Sequence, residues 1–165
     1  MPAGILLNTA VFAPQRISKA ILFIPSGIVS FSMKTMATML WGLAAYKISP
    51  SMSNVDRMLR PMFLDETIDE NVREVSESVF RLTKIEAEMP RNVTPQELAA
   101  FNAPTLVITA ERDRVFSAKA VSKRAVKIFP NLVATETIPG ATHFLAPRFR
   151  PDLNERCIKF LENDI

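Results

Sequence analysis

A short apolar run followed by an acidic turn constrains this chain more than any other stretch. Residues 103–116 read A-P-T-L-V-I-T-A-E-R-D-R-V-F, and the run consists of Leu106, Val107 and Ile108. A strand that is apolar on both faces is typical of the centre of a parallel sheet. Asp113 then lies at the carboxyl end of that strand. In open α/β sheets this is the edge that binds ligands and carries reactive side chains.

The only histidine of the chain, His143, follows 30 residues later in P-G-A-T-H-F. Between Asp113 and His143 the pattern predicts a helix over residues 117–129, capped by its first serine, and a strand over residues 132–138. Both side chains therefore follow strands, which is where catalytic groups are usually mounted. An aspartate in this position can also be a simple turn residue, and a single histidine can bond only to its own loop. The pattern alone leaves both interpretations open.

Helix and strand patterns alternate at the start of the chain. Residues 1–12 are apolar on nearly all sides, which predicts a helix that other elements enclose. Residues 20–24 read A-I-L-F-I and predict a strand that ends at Pro25. At the other end of the chain, Pro151 opens a final helix. Its predicted inward residues are Leu153, Cys157, Phe160 and Leu161.

A segment without strand patterns, residues 30–101, separates these two parts. It is rich in apolar residues at helical spacing, and it predicts an all-helical insertion. The predicted helices cover residues 33–47, 53–62, 69–89 and 94–100. The last of them begins at T-P-Q-E, a capping box with proline at the first helical position.

Length, charge and cysteine content exclude several classes of protein. A chain of 165 residues with 48% hydrophobic and 22% charged residues is an ordinary single globular domain. A net charge of +3 is too weak and too scattered to predict nucleic-acid binding. No run of about 18 apolar residues predicts a membrane span, and the start lacks the basic region of a signal peptide. One cysteine and one histidine supply no disulfide and too few metal ligands, so we expect a cytoplasmic protein without a metal or cofactor.

The order strand, aspartate, helix, strand and glycine-flanked histidine resembles the last third of the α/β-hydrolase fold family. Members of that family carry the nucleophile, the acid and the histidine in this order along the chain. By this resemblance Asp113 is the acid and His143 is the base of the triad. The start, M-P-A-G-I-L-L-N-T-A-V-F-A-P-Q-R, resembles the segment that directly follows the nucleophile. Met1 then takes the position whose backbone N–H helps to form the oxyanion hole, although Pro2 replaces the usual glycine.

The resemblance implies an α/β protein with a partial α/β-hydrolase fold. We expect a short, mostly parallel sheet of about three strands with flanking helices and an all-helical cap insertion. Residues 1–29 and 102–165 form the partial core in this interpretation, and residues 30–101 form the cap. Methionines are concentrated in the cap, where they would give a pliable pocket for an apolar acyl group. The candidate pocket residues are Met36, Met39 and Trp41. Helical spacing also fits the alternative that these methionines fill gaps between cap helices.

The family's nucleophile elbow, G-x-S-x-G, does not occur in this sequence. Two other residues are candidate nucleophiles. Ser26 follows the first predicted strand but has the surroundings of a turn serine, and Cys157 is predicted on the inner face of a helix, where cysteine is usually inert. We therefore predict a relative of serine hydrolases that acts on a small ester or other acyl substrate, truncated just after the nucleophile and inactive as this chain. The alternative is a non-catalytic remnant of the fold that self-associates or binds a small apolar ligand.

A truncation of this kind leaves one strand of the sheet without a neighbour. The strand over residues 20–24, which is internal in complete members of the family, becomes an edge with unpaired backbone groups. Pairing between two copies of the chain would cover such an edge. We therefore predict a homodimer or a larger homo-oligomer.

Overall fold

The computed structural model describes residues 2–82 and 91–162 of the chain. The chain divides into two compact units, one built from residues 1–30 and 90–165 and the other from residues 31–89. Its helices and strands, in chain order, are α1 (Pro2–Phe12), β1 (Ala20–Phe23), α2 (Met33–Ile48), α3 (Met52–Phe63), α4 (Glu70–Leu82), β2 (Thr105–Ala110), α5 (Ala118–Ile128), β3 (Leu132–Ile138) and α6 (Arg150–Glu162).

The first unit contains a parallel three-stranded sheet in the order β1-β2-β3. All six residues of the central strand β2 are buried, which confirms the prediction from its apolar run. Ala20 of β1 lies opposite Thr105 of β2, and Ala110 of β2 lies opposite Ile138 of β3. Because the strands are parallel, their carboxyl ends meet at one edge of the sheet. The turns that follow β1, β2 and β3 therefore share this edge.

The helix α6 packs against the sheet through one face. Phe160 is buried in a cluster with Ile108 and Ile138, and Leu153 and Cys157 pack against that cluster. The prediction that Leu161 also points inward is wrong, because 53% of this residue is exposed. Residues 153, 157 and 160 are spaced four and three apart on one helix face, whereas position 161 is a further 100° around the helix.

The helix α1 is covered on one side by this chain. Leu7 and Ala10 are buried, whereas Ile5 and Phe12 are 71% and 81% exposed. The prediction that other elements enclose this helix therefore holds for only one of its faces within the described residues.

The segment after residue 91 forms the predicted capping box without the predicted helix. The Thr94 N–H donates to Oε2 of Glu97 at 2.9 Å, and the Glu97 N–H donates to Oγ1 of Thr94 at 3.2 Å. Residues 95–100 form consecutive turns instead of a regular helix, because one bond to the fourth preceding residue, from Leu98, is followed by bonds to the third from Ala99 and Phe101. Leu98 and Phe101 are fully buried. Residues 91–101 belong to the first unit, whereas the sequence analysis placed them in the cap.

The second unit is all helical. Helices α2, α3 and α4 pack around a cluster made of Tyr46, Val55, Met58, Leu59, Phe63, Ile68 and Phe80. The side chain of Asp69 accepts hydrogen bonds from the amides of Asn71 and Val72 and so caps α4. The part of the predicted helix 69–89 beyond Leu82 lies outside the described residues. Among the described helices, none combines the length and the apolarity needed to cross a membrane.

Candidate active site

The acidic turn after β2 and the histidine loop after β3 meet because these two strands are parallel neighbours. The Asp113 N–H donates to the carbonyl oxygen of Ala110 at 3.2 Å, which closes a tight turn at the end of β2. On the other strand, Pro139 and Gly140 bend the chain directly after Ile138. Gly140 has φ of +70°, a conformation that favours glycine because other side chains are strained there. The bend brings His143 back over the end of β2.

Asp113 and His143 are hydrogen-bonded to each other. Nδ1 of His143 lies 3.0 Å from Oδ2 of Asp113. The other carboxylate oxygen, Oδ1, accepts the Val115 N–H at 2.6 Å and the Phe116 N–H at 3.1 Å. The Asp113 side chain is 1% exposed. Because both oxygens have donors and the side chain is buried, the carboxylate is fixed in the orientation that faces the imidazole.

The His143 ring contacts two aromatic side chains. The ring of Phe116 is tilted against it with centroids 5.8 Å apart, and the ring of Phe144 meets it edge to face at 5.9 Å. The His143 side chain remains 21% exposed. Since Nδ1–H donates to Asp113, the lone pair of the neutral ring is on Nε2. This arrangement prepares Nε2 to accept a proton, which is the task of a general base.

Hydrogen bonds besides the one between Asp113 and His143 also join the acidic turn to the histidine loop. The Glu111 N–H donates to the Ile138 carbonyl at 3.1 Å, and the Arg112 N–H donates to the Ala141 carbonyl at 2.8 Å. The Gly140 N–H donates to Oε2 of Glu111 at 2.7 Å. Sequence reasoning did not single out Glu111, because no spacing rule links it to residue 140. It also missed the ring contacts of Phe116 and Phe144, although residue 144 is adjacent to the histidine.

The other predicted site residues are Met1, Met36, Met39 and Trp41. Met1, the predicted oxyanion residue, lies outside the described residues. Met36, Met39 and Trp41 lie on α2 of the second unit; Met39 packs against the helical cluster there, and Trp41 is 69% exposed. Their assignment to a substrate pocket stays a prediction.

Cys157 has the properties of a core thiol. It is half-buried and packs against the cluster that contains Phe160. Burial, followed by the nearby Glu136 carboxylate, raises the pKa of the Cys157 thiol. A raised pKa reduces the thiolate fraction at neutral pH, so it argues against Cys157 as a nucleophile. The other candidate, Ser26, is half-buried in the turn after β1.

No group of three or more His, Cys, Asp or Glu side chains within residues 2–82 and 91–162 could hold a metal ion.

Comparisons with known proteins agree on the fold. No protein-family model and no curated protein sequence matches the chain. Among solved structures, carboxylesterase CesB (YbfK) from Bacillus subtilis matches 99% of this chain with a TM-score of 0.78 at 20% identity. The naproxen esterase of Bacillus subtilis matches 97% with a TM-score of 0.74 at 18% identity. The meta-cleavage product hydrolase CumD from Pseudomonas fluorescens IP01 matches 96% with a TM-score of 0.71 at 14% identity.

These matches cover 57%, 56% and 61% of the three solved chains. The present chain therefore spans somewhat more than half the length of the α/β-hydrolases that it resembles in structure. It has a partial α/β-hydrolase fold, as the order of its strands and site residues predicted.

Proposed function

We propose that Asp113 and His143 are the acid and the general base of a serine-hydrolase site that acts on a small ester or other acyl substrate. The observation that carries this proposal is the 3.0 Å hydrogen bond between Nδ1 of His143 and the buried Asp113 carboxylate. It lies at the carboxyl edge of the sheet, where this class of fold mounts its chemistry. The structural neighbours include two named esterases, which supports the choice of an ester substrate.

The geometry accounts for proton transfer in such a site. Nε2 of His143 takes the proton of a serine hydroxyl as the serine oxygen bonds to the carbonyl carbon of the ester. The same nitrogen then gives the proton to the departing alkoxide, which leaves as an alcohol. Water repeats the sequence, so that the acyl group is released as an acid and the serine is restored. Asp113 keeps Nδ1 protonated throughout and stabilises the charged imidazolium.

We further propose that the serine comes from a segment that precedes these residues in a longer polypeptide. No G-x-S-x-G occurs in the sequence, so this chain by itself should be a very poor esterase. Loss of a triad nucleophile lowers turnover by about a millionfold, while binding and an oxyanion hole can retain about a thousandfold over water.

Hydrolysis of short-chain p-nitrophenyl esters tests the proposal. We expect the 165-residue chain to show no burst of product and no labelling by a fluorophosphonate. A polypeptide that adds an upstream in-frame G-x-S-x-G segment should turn the ester over. In that polypeptide His143→Ala should lower kcat by about a millionfold. Asp113→Asn should lower it by about ten-thousandfold.

Asp152→Asn, which changes an exposed aspartate in the first turn of α6, is the matched control and should leave turnover unchanged. Full turnover by the His143→Ala variant would overturn the proposal.

The second candidate function is a non-catalytic one, and exposed apolar side chains favour it. On α2, the side chains of Met33, Leu40, Trp41 and Ile48 are between 54% and 86% exposed. We propose as the alternative that the chain self-associates or binds a small apolar ligand. An absence of turnover in both the chain and the extended polypeptide, together with saturable binding of an apolar fluorophore, would favour this alternative.

A further inference from the structure

The loop that carries His143 is built on a glycine whose amide has a charged partner. Gly140 adopts φ of +70°, and its N–H donates to Oε2 of Glu111 at 2.7 Å. Glycine is the residue with the greatest backbone freedom, so its conformation depends on the bonds that it makes. A hydrogen bond to a carboxylate is about twice as strong as one to a neutral acceptor. The Glu111 carboxylate is thus well suited to fix this position.

Main-chain hydrogen bonds on both sides of Gly140 align the acidic turn after β2 with the histidine loop after β3. The Glu111 N–H meets the Ile138 carbonyl, and the Arg112 N–H meets the Ala141 carbonyl. Ala141 is fully buried, so the loop is anchored on the side that leads to the histidine. The bond accepted by Glu111 uses a side chain, so a substitution can remove it without changing Asp113 or His143.

Beyond Ala141 the loop leads directly to the imidazole. Thr142 is 1% exposed, and its hydroxyl donates to the Phe144 carbonyl at 2.8 Å. Because residues 141 and 142 are packed in this way, they cannot easily absorb a displacement of Gly140. Such a displacement is therefore passed on to His143. The position of the ring relative to Asp113 therefore depends on how Gly140 is held.

We infer that Glu111 is a positioning residue, which holds His143 against Asp113 by accepting the Gly140 N–H. This inference rests on the proposed function, because it assigns Glu111 a role in the same acid–base pair. Glu111 does not touch the imidazole in this arrangement; it acts through the backbone of the loop. Misplacement of a catalytic group by about 1 Å costs on the order of a hundredfold in rate, so a bond of this kind has a large effect on activity.

The role requires an acceptor oxygen at residue 111, and this separates it from a general effect of negative charge. Glu111→Gln keeps an oxygen at the same distance along the side chain, whereas Glu111→Ala removes it. Glutamine should therefore preserve the position of His143 better than alanine does. Glu155→Ala, at an exposed glutamate in α6, is the control for loss of a surface carboxylate.

Nitrogen and proton NMR of the imidazole provides the test, because the single histidine of the chain gives one set of ring signals. The readouts are the protonated ring nitrogen and the exchange rate of its proton with water. In Glu111→Ala we expect the Nδ1–H to exchange about tenfold faster or more, because the loop that carries the imidazole loses the bond that fixes Gly140. Exchange at the wild-type rate is expected in Glu155→Ala. Glu111→Gln keeps a neutral and weaker acceptor, so its rate should lie between those of wild type and Glu111→Ala.

Two results would count against the inference, and they differ in what else they overturn. A wild-type protein without an Asp113-dependent Nδ1–H would overturn the proposed function together with the role of Glu111. A wild-type signal that Asp113→Asn abolishes and Glu111→Ala leaves unchanged would overturn the role of Glu111 alone. If Glu111→Ala fails to fold, the rate at which the Gly140 amide proton exchanges with water in the wild-type protein provides the test instead. Protection of this amide supports the inference, and exchange at the rate of an exposed loop amide contradicts it.

Discussion

For single residues, the candidate site depends on two side chains, and each of them has contacts that hold it in place. The Asp113 carboxylate is fixed by the amides of Val115 and Phe116, which come from its own turn. The His143 ring contacts two phenylalanine rings, one from that turn and one from its own loop. The hydrogen bond between Asp113 and His143 is therefore preorganised, and little rearrangement is needed for Nε2 to accept a proton.

Cys157 provides a prediction at the same scale. Burial and the nearby Glu136 raise the pKa of its thiol, so the protonated, unreactive form persists to higher pH than in a free thiol. The rate of alkylation by iodoacetamide should therefore reach its midpoint at a higher pH than that of glutathione, and at pH 7 it should be slower. Cys157→Ser supplies the blank. Faster alkylation than glutathione at pH 7 would show a reactive thiolate and would restore Cys157 as a candidate nucleophile.

At the scale of elements, the close packing of α2 on α3 depends on a glycine. A Cβ atom at Gly42 would lie 2.8 Å from the Met58 backbone nitrogen and 2.9 Å from its Cα. Real Cβ atoms do not approach backbone so closely, so any side chain at position 42 would push the two helices apart. Gly42 is thus required for close packing, although glycine is an unfavourable residue inside a helix.

Substitution of this glycine should reverse the usual effect of alanine in a helix. Gly→Ala in a helix interior normally stabilises by about 0.5–1 kcal/mol. Gly42→Ala should instead lower the free energy of unfolding by about 1–3 kcal/mol, because the helices must separate. Gly4→Ala in α1, where no atom lies within 4 Å of the added Cβ, is the control and should not destabilise. Urea unfolding of both variants measures the difference; equal effects in the two would refute the packing argument.

Elements with a single strong pattern were predicted well from the sequence. The buried strand β2 follows from its apolar run, and the cap of α5 follows from Ser117, whose side chain accepts the Ala120 N–H. The prediction of a helix over residues 94–100 was wrong. A capping box satisfies the first amides, but it does not determine whether the next turns bond to the third or to the fourth preceding residue. The prediction that Leu161 points inward was wrong because two adjacent apolar residues of an amphipathic helix cannot both lie at the centre of its buried face.

The candidate site was predictable only in its two chemical residues. Asp113 and His143 stand out because each follows a strand, and parallel strands bring such residues to one edge. The bond from Gly140 to Glu111 was not predictable, since it joins residues 29 positions apart through a loop conformation that no local pattern specifies. Side chains that act through another residue's backbone leave no periodic signal in a sequence.

At the scale of the whole molecule, the sheet is small for its fold class. Among the described residues β1 pairs with β2 on one side only, and the chain covers somewhat more than half of the solved hydrolases that it resembles. An edge strand with apolar residues on both faces is a template for pairing with another chain. The exposed Ile5 and Phe12 of α1 add apolar surface to the same unit.

We therefore expect copies of this chain to associate through β1. Light scattering coupled to size exclusion should give at least twice the 18.4 kDa protomer mass at micromolar concentration. Closed twofold pairing is the simplest assembly that covers one exposed edge on each copy. A mass of 18.4 kDa throughout the micromolar range would contradict the expectation. The backbone groups at the edge of β1 would then have to be satisfied in another way.

The pairing of Asp113 with His143 is best tested by the tautomer of His143 in the wild-type protein and in Asp113→Asn. Nitrogen NMR should find the proton on Nδ1 in wild type, because the Asp113 carboxylate accepts it. In the variant, two amides already donate to the Oδ1 position, so the asparagine NH₂ faces the ring and donates to Nδ1. We therefore expect the proton to lie on Nε2 in Asp113→Asn. The same tautomer in both proteins would contradict it, because Asp113 would then not be the residue that orients His143.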